Sequence, residues 1–132
     1  MRAILINTKN KTVTEVEYTG DYRNIYTHIE ANCFDLLRIT RADAIYVDDN
    51  GLLNDKGHTH GFFRYGERDK DNGRVLAGFG LILAHDGAGE CVDTDLTLEY
   101  VKARVQFGEP VRMGPRIEFI EYETHHTLGI VL

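Results

Sequence analysis

Residues 75–84 read VLAGFGLILA, an apolar run without a single charged or hydrogen-bonding side chain. A continuous run of this kind, preceded by the turn signal DNG at residues 71–73, is typical of a buried strand. Gly78 and Gly80 within the run permit a bulge or a close approach of another backbone. We predict that these residues form the central strand of a sheet.

Shorter apolar or alternating segments on both sides of this run predict the remaining strands. Residues 2–7 and 12–18 are expected to form an antiparallel hairpin, because the second segment alternates and the KNK sequence between them favours a turn. The other predicted strands are residues 34–39, 44–47, 90–92, 116–122 and 127–132.

Two helices are predicted between these strands. Asp21 is a good N-cap, and apolar residues at helical spacing follow it as far as Cys33. A second helix is expected over residues 97–105, with Thr97 as its N-cap. The predicted fold class is therefore α+β: a mixed, mainly antiparallel β-sheet with two short helices packed on one face.

Length and charge restrict the kind of protein that this sequence can encode. The 132 residues fit one domain, and the net charge of −6 argues against direct binding to nucleic acid. Apolar runs are too short to span a membrane and the N-terminus lacks a signal-peptide pattern, so a cytoplasmic protein without membrane contact is expected. Cys33 and Cys91 form no disulfide framework or zinc motif and are expected to be reduced, buried thiols.

The segment IYVDDNGLLN, residues 45–54, raises the question of a calcium site. If Gly51 takes position six of an EF-hand loop, Tyr46 falls at position one and Gly57 at position twelve, where acidic ligands are needed. The calcium hypothesis therefore fails. Asn50-Gly51 instead predicts a tight hairpin turn, since both residues tolerate positive φ.

Residues 54–72 predict a long loop, which includes one candidate strand at residues 61–65. Its central sequence, HTHGFFRYGER, combines aromatic rings that can stack on a base with arginines that can clamp a phosphate. The same residue types are frequent in protein-contact hot spots. The alternative is that Phe62 and Phe63 pack beneath the loop as a small satellite core. The candidate binding residues are Phe62, Phe63, Arg64, Tyr65 and Arg68.

An acidic segment, residues 86–99, lies in a part of the chain without any Lys or Arg. An acidic stripe can imitate nucleic acid or attract a basic partner. The alternative is an ordinary solvated face. Glu90, Asp93 and Asp95 are the candidate partner-binding residues of this segment.

Histidine pairs in two predicted loops are the candidates for a metal site. Three or four of them could close a zinc or nickel site if the loops met. No third ligand occurs at a known motif spacing, so exposed loop histidines are the simpler interpretation. The weak metal candidates are His58, His60, His125 and His126.

The sequence offers little for catalysis. It contains no serine, which removes the commonest nucleophile. Cys91 lies near Glu90 and His85 in sequence, but a cysteine in a short strand usually serves packing. The glycine pairs at residues 78–80 and 87–89 lack the other positions of a dinucleotide or P-loop motif. We therefore expect no catalytic residues, no cofactor and no enzymatic activity.

Several segments occur in an order that is similar to that of a known family. They are AILI (3–6), TVTEVEY (12–18), GDYRNIYTHI (20–29), CFDLLRI (33–39), IYVDDNGLLN (45–54), LAGFGLILAHDGAGE (76–90) and LTLEYVKARVQF (96–107). This order resembles a family of small bacteriophage, prophage and plasmid proteins with a domain of unknown function, over residues 2–107. Its most specific part is YVDDNGLLN followed by LAGFGLIL. Residues 108–132 would then be a two-strand extension within a single domain, residues 1–132.

The resemblance implies a phage or mobile-element accessory protein in the cytoplasm of a bacterial host. Small acidic proteins of this kind commonly act by binding, so the expected function is inhibition of a host protein, an anti-phage defence factor, through protein contact. The alternative is a protein that binds or sequesters a small molecule, a nucleotide. A homodimer is the favoured assembly, because the C-terminal strands could pair across a two-fold axis.

Overall fold

Two antiparallel sheets and three helices make up the part of the chain that the structure describes. This computed structural model describes residues 1–50, 56–66 and 74–122. The elements, in chain order, are β1 (Arg2–Asn7), β2 (Thr12–Glu17), α1 (Tyr22–Ile29), β3 (Phe34–Arg38), β4 (Asp43–Asp48), α2 (Lys56–His60), β5 (Phe62–Tyr65), β6 (Val75–Ala77), β7 (Gly80–His85), β8 (Cys91–Val92), α3 (Leu98–Lys102), β9 (Val105–Met113) and β10 (Arg116–Glu121).

Within these described ranges, the larger sheet has six strands in the order β2-β1-β7-β4-β3 with β8 beside β7, and the smaller sheet has the order β10-β9-β5-β6. Every pair of neighbouring described strands is antiparallel, so the antiparallel character is confirmed and a mixed sheet is not observed. The predicted N-terminal hairpin is confirmed, since β1 and β2 pair from Arg2 opposite Glu17 to Asn7 opposite Thr12. The chain is thus a mainly antiparallel α+β protein with short helices.

The run at residues 75–84 forms two strands instead of the predicted single central strand. Its first part, β6, is an edge of the smaller sheet, and its second part, β7, is central in the larger sheet. The chain changes sheets at Gly78, which has a φ of +88° and donates its N–H to the Gly61 carbonyl at 2.9 Å. Such a φ favours glycine. Hydrophobicity alone does not reveal this break, because both strands are buried.

Gly80 confirms the predicted close approach within this run. A Cβ atom at Gly80 would lie 2.8 Å from the Phe63 ring and 2.9 Å from the Ile45 side chain. Phe63 belongs to the smaller sheet, while Ile45 belongs to the larger one. The two sheets can therefore pack together at this point only because position 80 has no side chain.

The two faces of the larger sheet carry separate hydrophobic clusters. One lies between the sheets and includes Ile4 of β1 and Val101 of α3. The other includes Ala3 of β1 and Ile25 and Ile29 of α1. Because neighbouring residues of a strand point to opposite faces, α1 and α3 pack on opposite sides of the sheet. The prediction that two helices share one face is therefore not confirmed.

Both predicted N-caps are confirmed, but both helices are shorter than predicted. Asp21 accepts a hydrogen bond from the Arg23 N–H at 3.0 Å, and Thr97 accepts one from the Tyr100 N–H at 3.1 Å. Helix α1 ends at Ile29 instead of near Cys33, because Glu30 adopts a left-handed φ of 56°. Helix α3 ends before residue 105, which begins β9.

Strand β4 is not part of the hairpin predicted around Asn50-Gly51. Among the described strands its neighbours are β3 and β7, and α2 is the next described element. The Asn50 N–H donates to the Asp48 carboxylate at 2.9 Å, which supports a local turn after the strand. Gly51 lies outside the described residues.

Strand β9 runs through the position where a C-terminal extension was predicted to begin. Its first residues pair with β5, and its later residues pair with β10. Residues 107 and 108 are therefore consecutive members of one strand. The strand predicted for residues 127–132 lies outside the described part of the chain.

Candidate functional site

Residues 56–66 form α2 and β5. The candidate strand at residues 61–65 is therefore confirmed as β5, and the prediction of a loop is wrong for α2. Phe63 is fully buried at 0 % exposure, and Phe62 and Tyr65 are also buried. Phe63 and Tyr65 point between the two sheets and join the main core. Their rings are therefore not available to stack on a ligand. Arg68, another candidate, lies outside the described residues.

Phe62 points to the other side of the smaller sheet, which we call its outer face, and α2 covers it there. A Cβ atom at Gly57 would lie 2.0 Å from the Phe62 ring, so only glycine allows the ring to pack against the helix. The His58 ring contacts Phe62 edge-on with centroids 6.3 Å apart. Helix α2 thus covers the outer face at Phe62 but not at Arg64, the next residue of β5 on this face.

Arg64 lies on the open part of the outer face. Its Nε and Nη2 atoms donate to the Gln106 Oε1 atom at 3.1 and 2.7 Å. Its guanidinium lies 4.7 Å from the centroid of the Phe119 ring, within the range of a cation–π contact. Side chains of β9 and β10 therefore hold this arginine in one orientation.

A cleft of about 450 Å³ lies beside Arg64 on the outer face. This volume is in the usual range for small-molecule sites, which are roughly 300–1,000 Å³. The exposed residue Ile117, at 66 % exposure, forms part of its wall. The lining residues are Arg64, Val75, Pro110, Arg116, Ile117, Glu118 and Phe119. Arg116 is paired with Glu118 of the same lining at 2.9 Å. The Arg64 guanidinium, an aromatic ring and exposed apolar carbon suit either an anionic ligand or a protein contact.

The acidic candidates do not line this cleft. The Asp93 Oδ1 atom accepts the Arg2 N–H at 2.7 Å, so this carboxylate holds the segment against β1. The Arg2 side chain strengthens the same contact by donating to the main-chain carbonyls of Thr94 and Leu96. Glu90 and Asp95 are exposed. Asp93 therefore has a structural role, and Glu90 and Asp95 fit a solvated face.

The histidine candidates do not form a metal site in the described ranges. No group of three or more potential ligands is found among those residues. The Nε2 atom of His60 lies 2.9 Å from Glu30 Oε1, and its Nδ1 atom lies 2.7 Å from Thr59 Oγ1. Both ring nitrogens thus face protein partners. His58 is exposed, and His125 and His126 lie outside the described residues.

A second cavity, of about 440 Å³, lies where α1 ends, and no sequence pattern predicted it. The Lys56 ammonium donates to the Glu30 main-chain carbonyl and lies 3.6 Å from the Asp48 carboxylate. The hydrogen bond from His60 lowers the pKa of Glu30. Partial burial raises this pKa, but the charges of Lys9 and Lys56 lower it further, so the net shift is downward. These charged groups pair with one another. The charged groups at this cavity therefore connect α1 with α2, which is a structural role.

Cys91 lies directly opposite His85 in the pairing of β7 with β8. The His85 Nε2 atom, however, shares a hydrogen bond of 2.9 Å with the Tyr46 hydroxyl. Burial and the neighbouring Glu90 carboxylate raise the pKa of the Cys91 thiol. A thiol that keeps its proton is a weak nucleophile. The packing role expected for this cysteine fits the geometry better than a catalytic one.

Comparison of the chain with protein-family models, with curated proteins and with solved structures finds no match. The resemblance to small phage proteins therefore stays a prediction. None of the helices in the described ranges is long and apolar enough to cross a membrane.

Proposed function

We propose that this chain is a non-enzymatic accessory protein of a phage or mobile element, which acts in the bacterial cytoplasm by binding and inhibiting a host protein, an anti-phage defence factor. The outer face of the smaller sheet is the proposed contact surface. The observation that carries this proposal is the exposed Ile117 beside the half-buried Arg64 and Phe119 on that face. Arginine and aromatic residues dominate the energetic centres of protein interfaces.

The phage setting rests on the order of sequence segments from AILI to LTLEYVKARVQF, which resembles that of small phage and plasmid proteins. The raised pKa of the Cys91 thiol favours a binding role over a catalytic one.

The proposal is tested by capturing host proteins from a bacterial lysate with three tagged forms of the protein. Arg112→Glu reverses an exposed charge on the outer face, where Arg112 lies opposite Ile117. Tyr22→Asp changes an exposed residue of α1, at 59 % exposure. We expect a host protein that the wild type and Tyr22→Asp retain and Arg112→Glu loses. Equal retention by both variants would remove the outer face from the proposal.

Inhibition is tested in bacteria that carry a phage-defence system. Expression of the wild type and of Tyr22→Asp should raise the plating efficiency of a phage that the system restricts. Arg112→Glu should leave restriction intact, because it no longer engages its target. A protein that leaves restriction unchanged across a panel of defence systems would contradict the inhibitor proposal.

A second candidate function is binding of a nucleotide in the cleft. It is favoured by the Arg64 guanidinium, which lines the cleft together with the Phe119 ring. A nucleoside triphosphate at 100 times its dissociation constant would stabilise the fold by about 2.7 kcal/mol. Arg64→Lys should abolish the thermal shift, because lysine lacks the planar fork. Arg112→Lys, outside the cleft lining, is the matched control; an unchanged shift in Arg64→Lys would exclude this cleft.

A further inference from the structure

Strand β10 is an edge of the smaller sheet, and among the described strands it pairs only with β9. The N–H of Tyr122 donates to the Phe107 carbonyl at 2.8 Å, which fixes the phase of the hydrogen bonding between β9 and β10. Because hydrogen-bonded and non-hydrogen-bonded pairs alternate in antiparallel strands, the backbone groups of Ile117 and Phe119 point away from β9. Among the described strands none receives these groups, so another strand can pair with them on this side of β10.

The side chains of β10 alternate in a pattern that suits pairing with its own copy. Arg116 and Glu118 lie on one face, with Arg116 Nη2 and Glu118 Oε1 2.9 Å apart. Ile117 lies between them on the outer face and is 66 % exposed. A strongly exposed isoleucine is unusual at an edge strand, where charged side chains normally discourage pairing. The charges that flank Ile117 are of opposite sign, so they can attract those of a second copy.

Directly opposed residues of two antiparallel strands have their side chains on the same face of the sheet. A two-fold axis at the sheet edge must therefore pass through a residue, so that odd-numbered residues face odd-numbered ones and even-numbered residues face even-numbered ones. An axis at Glu118 would oppose two like charges, and an axis at Phe119 would place Glu118 against Ile120 of the second copy. An axis at Ile117 places each Arg116 opposite Glu118 of the second copy and the two Ile117 side chains together. Cross-strand pairs of these kinds stabilise a sheet, whereas opposed like charges destabilise it.

We propose that two copies of this chain associate through β10, with a two-fold axis at Ile117, so that their smaller sheets join into one continuous sheet. Arg116 and Glu118 of both copies then form an alternating network of four charges. The two Ile117 residues form a hydrogen-bonded pair across the axis, with Cα atoms about 5.5 Å apart. Pro115 lies opposite Phe119 of the second copy and accepts its N–H, although it has no N–H of its own to donate.

This association also extends the outer face on which the cleft lies. Ile117 and Phe119 line the cleft of one copy, and the outer face continues across the axis into the same residues of the second copy. The joined sheet therefore presents one extended outer face with two copies of Arg64. The inference concerns assembly and holds whether or not the proposed host partner is the target.

A charge exchange tests the register, with sedimentation velocity as the readout. The wild type should be a dimer. Arg116→Glu and Glu118→Arg alone should each weaken dimerisation about tenfold or more. Each single variant places like charges at positions 116 and 118 of opposite copies, and the two-fold axis makes this contact occur twice. The double variant Arg116→Glu/Glu118→Arg should restore dimerisation. A wild type that stays monomeric up to about 1 mM, or a double variant as weak as the single ones, would overturn the proposal.

Thiol cross-linking tests the position of the axis. Ile117→Cys places two thiols at the axis, so a short bismaleimide should link the two copies. Arg112→Cys, one strand further in on the same face, would be about 14 Å from its copy, three strand spacings away, and should not react in pairs. The wild type, with its half-buried Cys33 and Cys91, gives the background. Equal cross-linking of both variants would contradict the axis at Ile117.

Discussion

The Lys56 ammonium donates a hydrogen bond to the main-chain carbonyl of Glu30, so a residue of α2 satisfies the carboxyl end of α1. The carbonyls of the last helical turn have no partner within the helix, and a cation there also interacts favourably with the helix dipole. His60 of α2 adds a contact to the Glu30 carboxylate at 2.9 Å. These two contacts hold α2 in position against α1. Helix α2 in turn covers Phe62, and β5 follows it directly in the chain.

Replacing Lys56 by methionine should destabilise the protein. The Lys56 and Asp48 side chains are 13 % and 4 % exposed, so the change removes a nearly buried ammonium from a carboxylate 3.6 Å away. We expect a loss of about 1–3 kcal/mol in the free energy of unfolding, measured by urea denaturation. Lys9→Met is the control, because the 47 % exposed Lys9 also faces Glu30, at 3.8 Å. Its cost should be within about 0.5 kcal/mol, and equal costs would contradict the structural role of Lys56.

Position 30 should tolerate glycine better than alanine. Glu30 has a φ of 56°, which is unfavourable for a residue with a Cβ atom and free for glycine. Glu30→Gly and Glu30→Ala both remove the contact with His60, so they differ mainly in backbone strain. We expect Glu30→Gly to be more stable by about 1 kcal/mol in thermal or urea denaturation. An alanine variant of equal or greater stability would show that the left-handed conformation is not retained.

The contact between the two sheets at Gly80 should not accept a methyl group. A Cβ atom there would lie 2.8 Å from the Phe63 ring and 2.9 Å from Ile45. Gly80→Ala should therefore lower the free energy of unfolding by about 1–3 kcal/mol. Gly87→Ala is the control, because nothing lies within 4 Å of its added Cβ atom. If both variants unfold at the same urea concentration, the sheets are not packed as closely as described.

Burial makes the stability depend on pH in the alkaline range through Tyr65. Burial first, and then the charge of Tyr100, raise the pKa of Tyr65 to about 12 from its ordinary value of 10.0. Since the folded pKa is above the unfolded one, this stabilisation is complete below about pH 10 and is lost as the pH rises toward 12. It amounts to about 2–3 kcal/mol.

Tyr65→Phe should remove this part of the pH dependence. The Tyr65 hydroxyl is buried and has no hydrogen-bond partner among the residues that the structure describes. The variant should therefore be as stable as the wild type at pH 7, or more stable by about 1 kcal/mol. Between pH 10 and 12 it should lose less stability than the wild type. Parallel pH profiles of the two proteins would contradict burial of this hydroxyl.

Local patterns predicted the elements well where one segment decides its own conformation. The alternation in TVTEVEY predicted β2, and the alternation in RIEFIEY predicted β10. Asp21 and Thr97 predicted the helix starts, because an N-cap acts on the residues next to it. The change of sheet at Gly78 could not be predicted in this way. It depends on the hydrogen bond to Gly61, which lies far away in sequence.

The candidate site was predicted only in part, for the same reason. The composition of HTHGFFRYGER singled out Arg64 but gave no means of separating it from the buried rings beside it. The partners of Arg64, Gln106 and Phe119, come from β9 and β10. Pairing of β5 with β9 brings them together over a separation of 42 residues for Gln106. Contacts of this kind leave no local pattern in the sequence.

The most direct test of the outer face as a contact surface is hydroxyl-radical footprinting of the protein with and without its captured partner, at one protein concentration. Ile117 and Tyr22 are similarly exposed, at 66 % and 59 %, and lie on different elements. The proposal predicts that the partner reduces oxidation of Ile117 and leaves Tyr22 unchanged. Protection of Tyr22 with unchanged oxidation of Ile117 would contradict it.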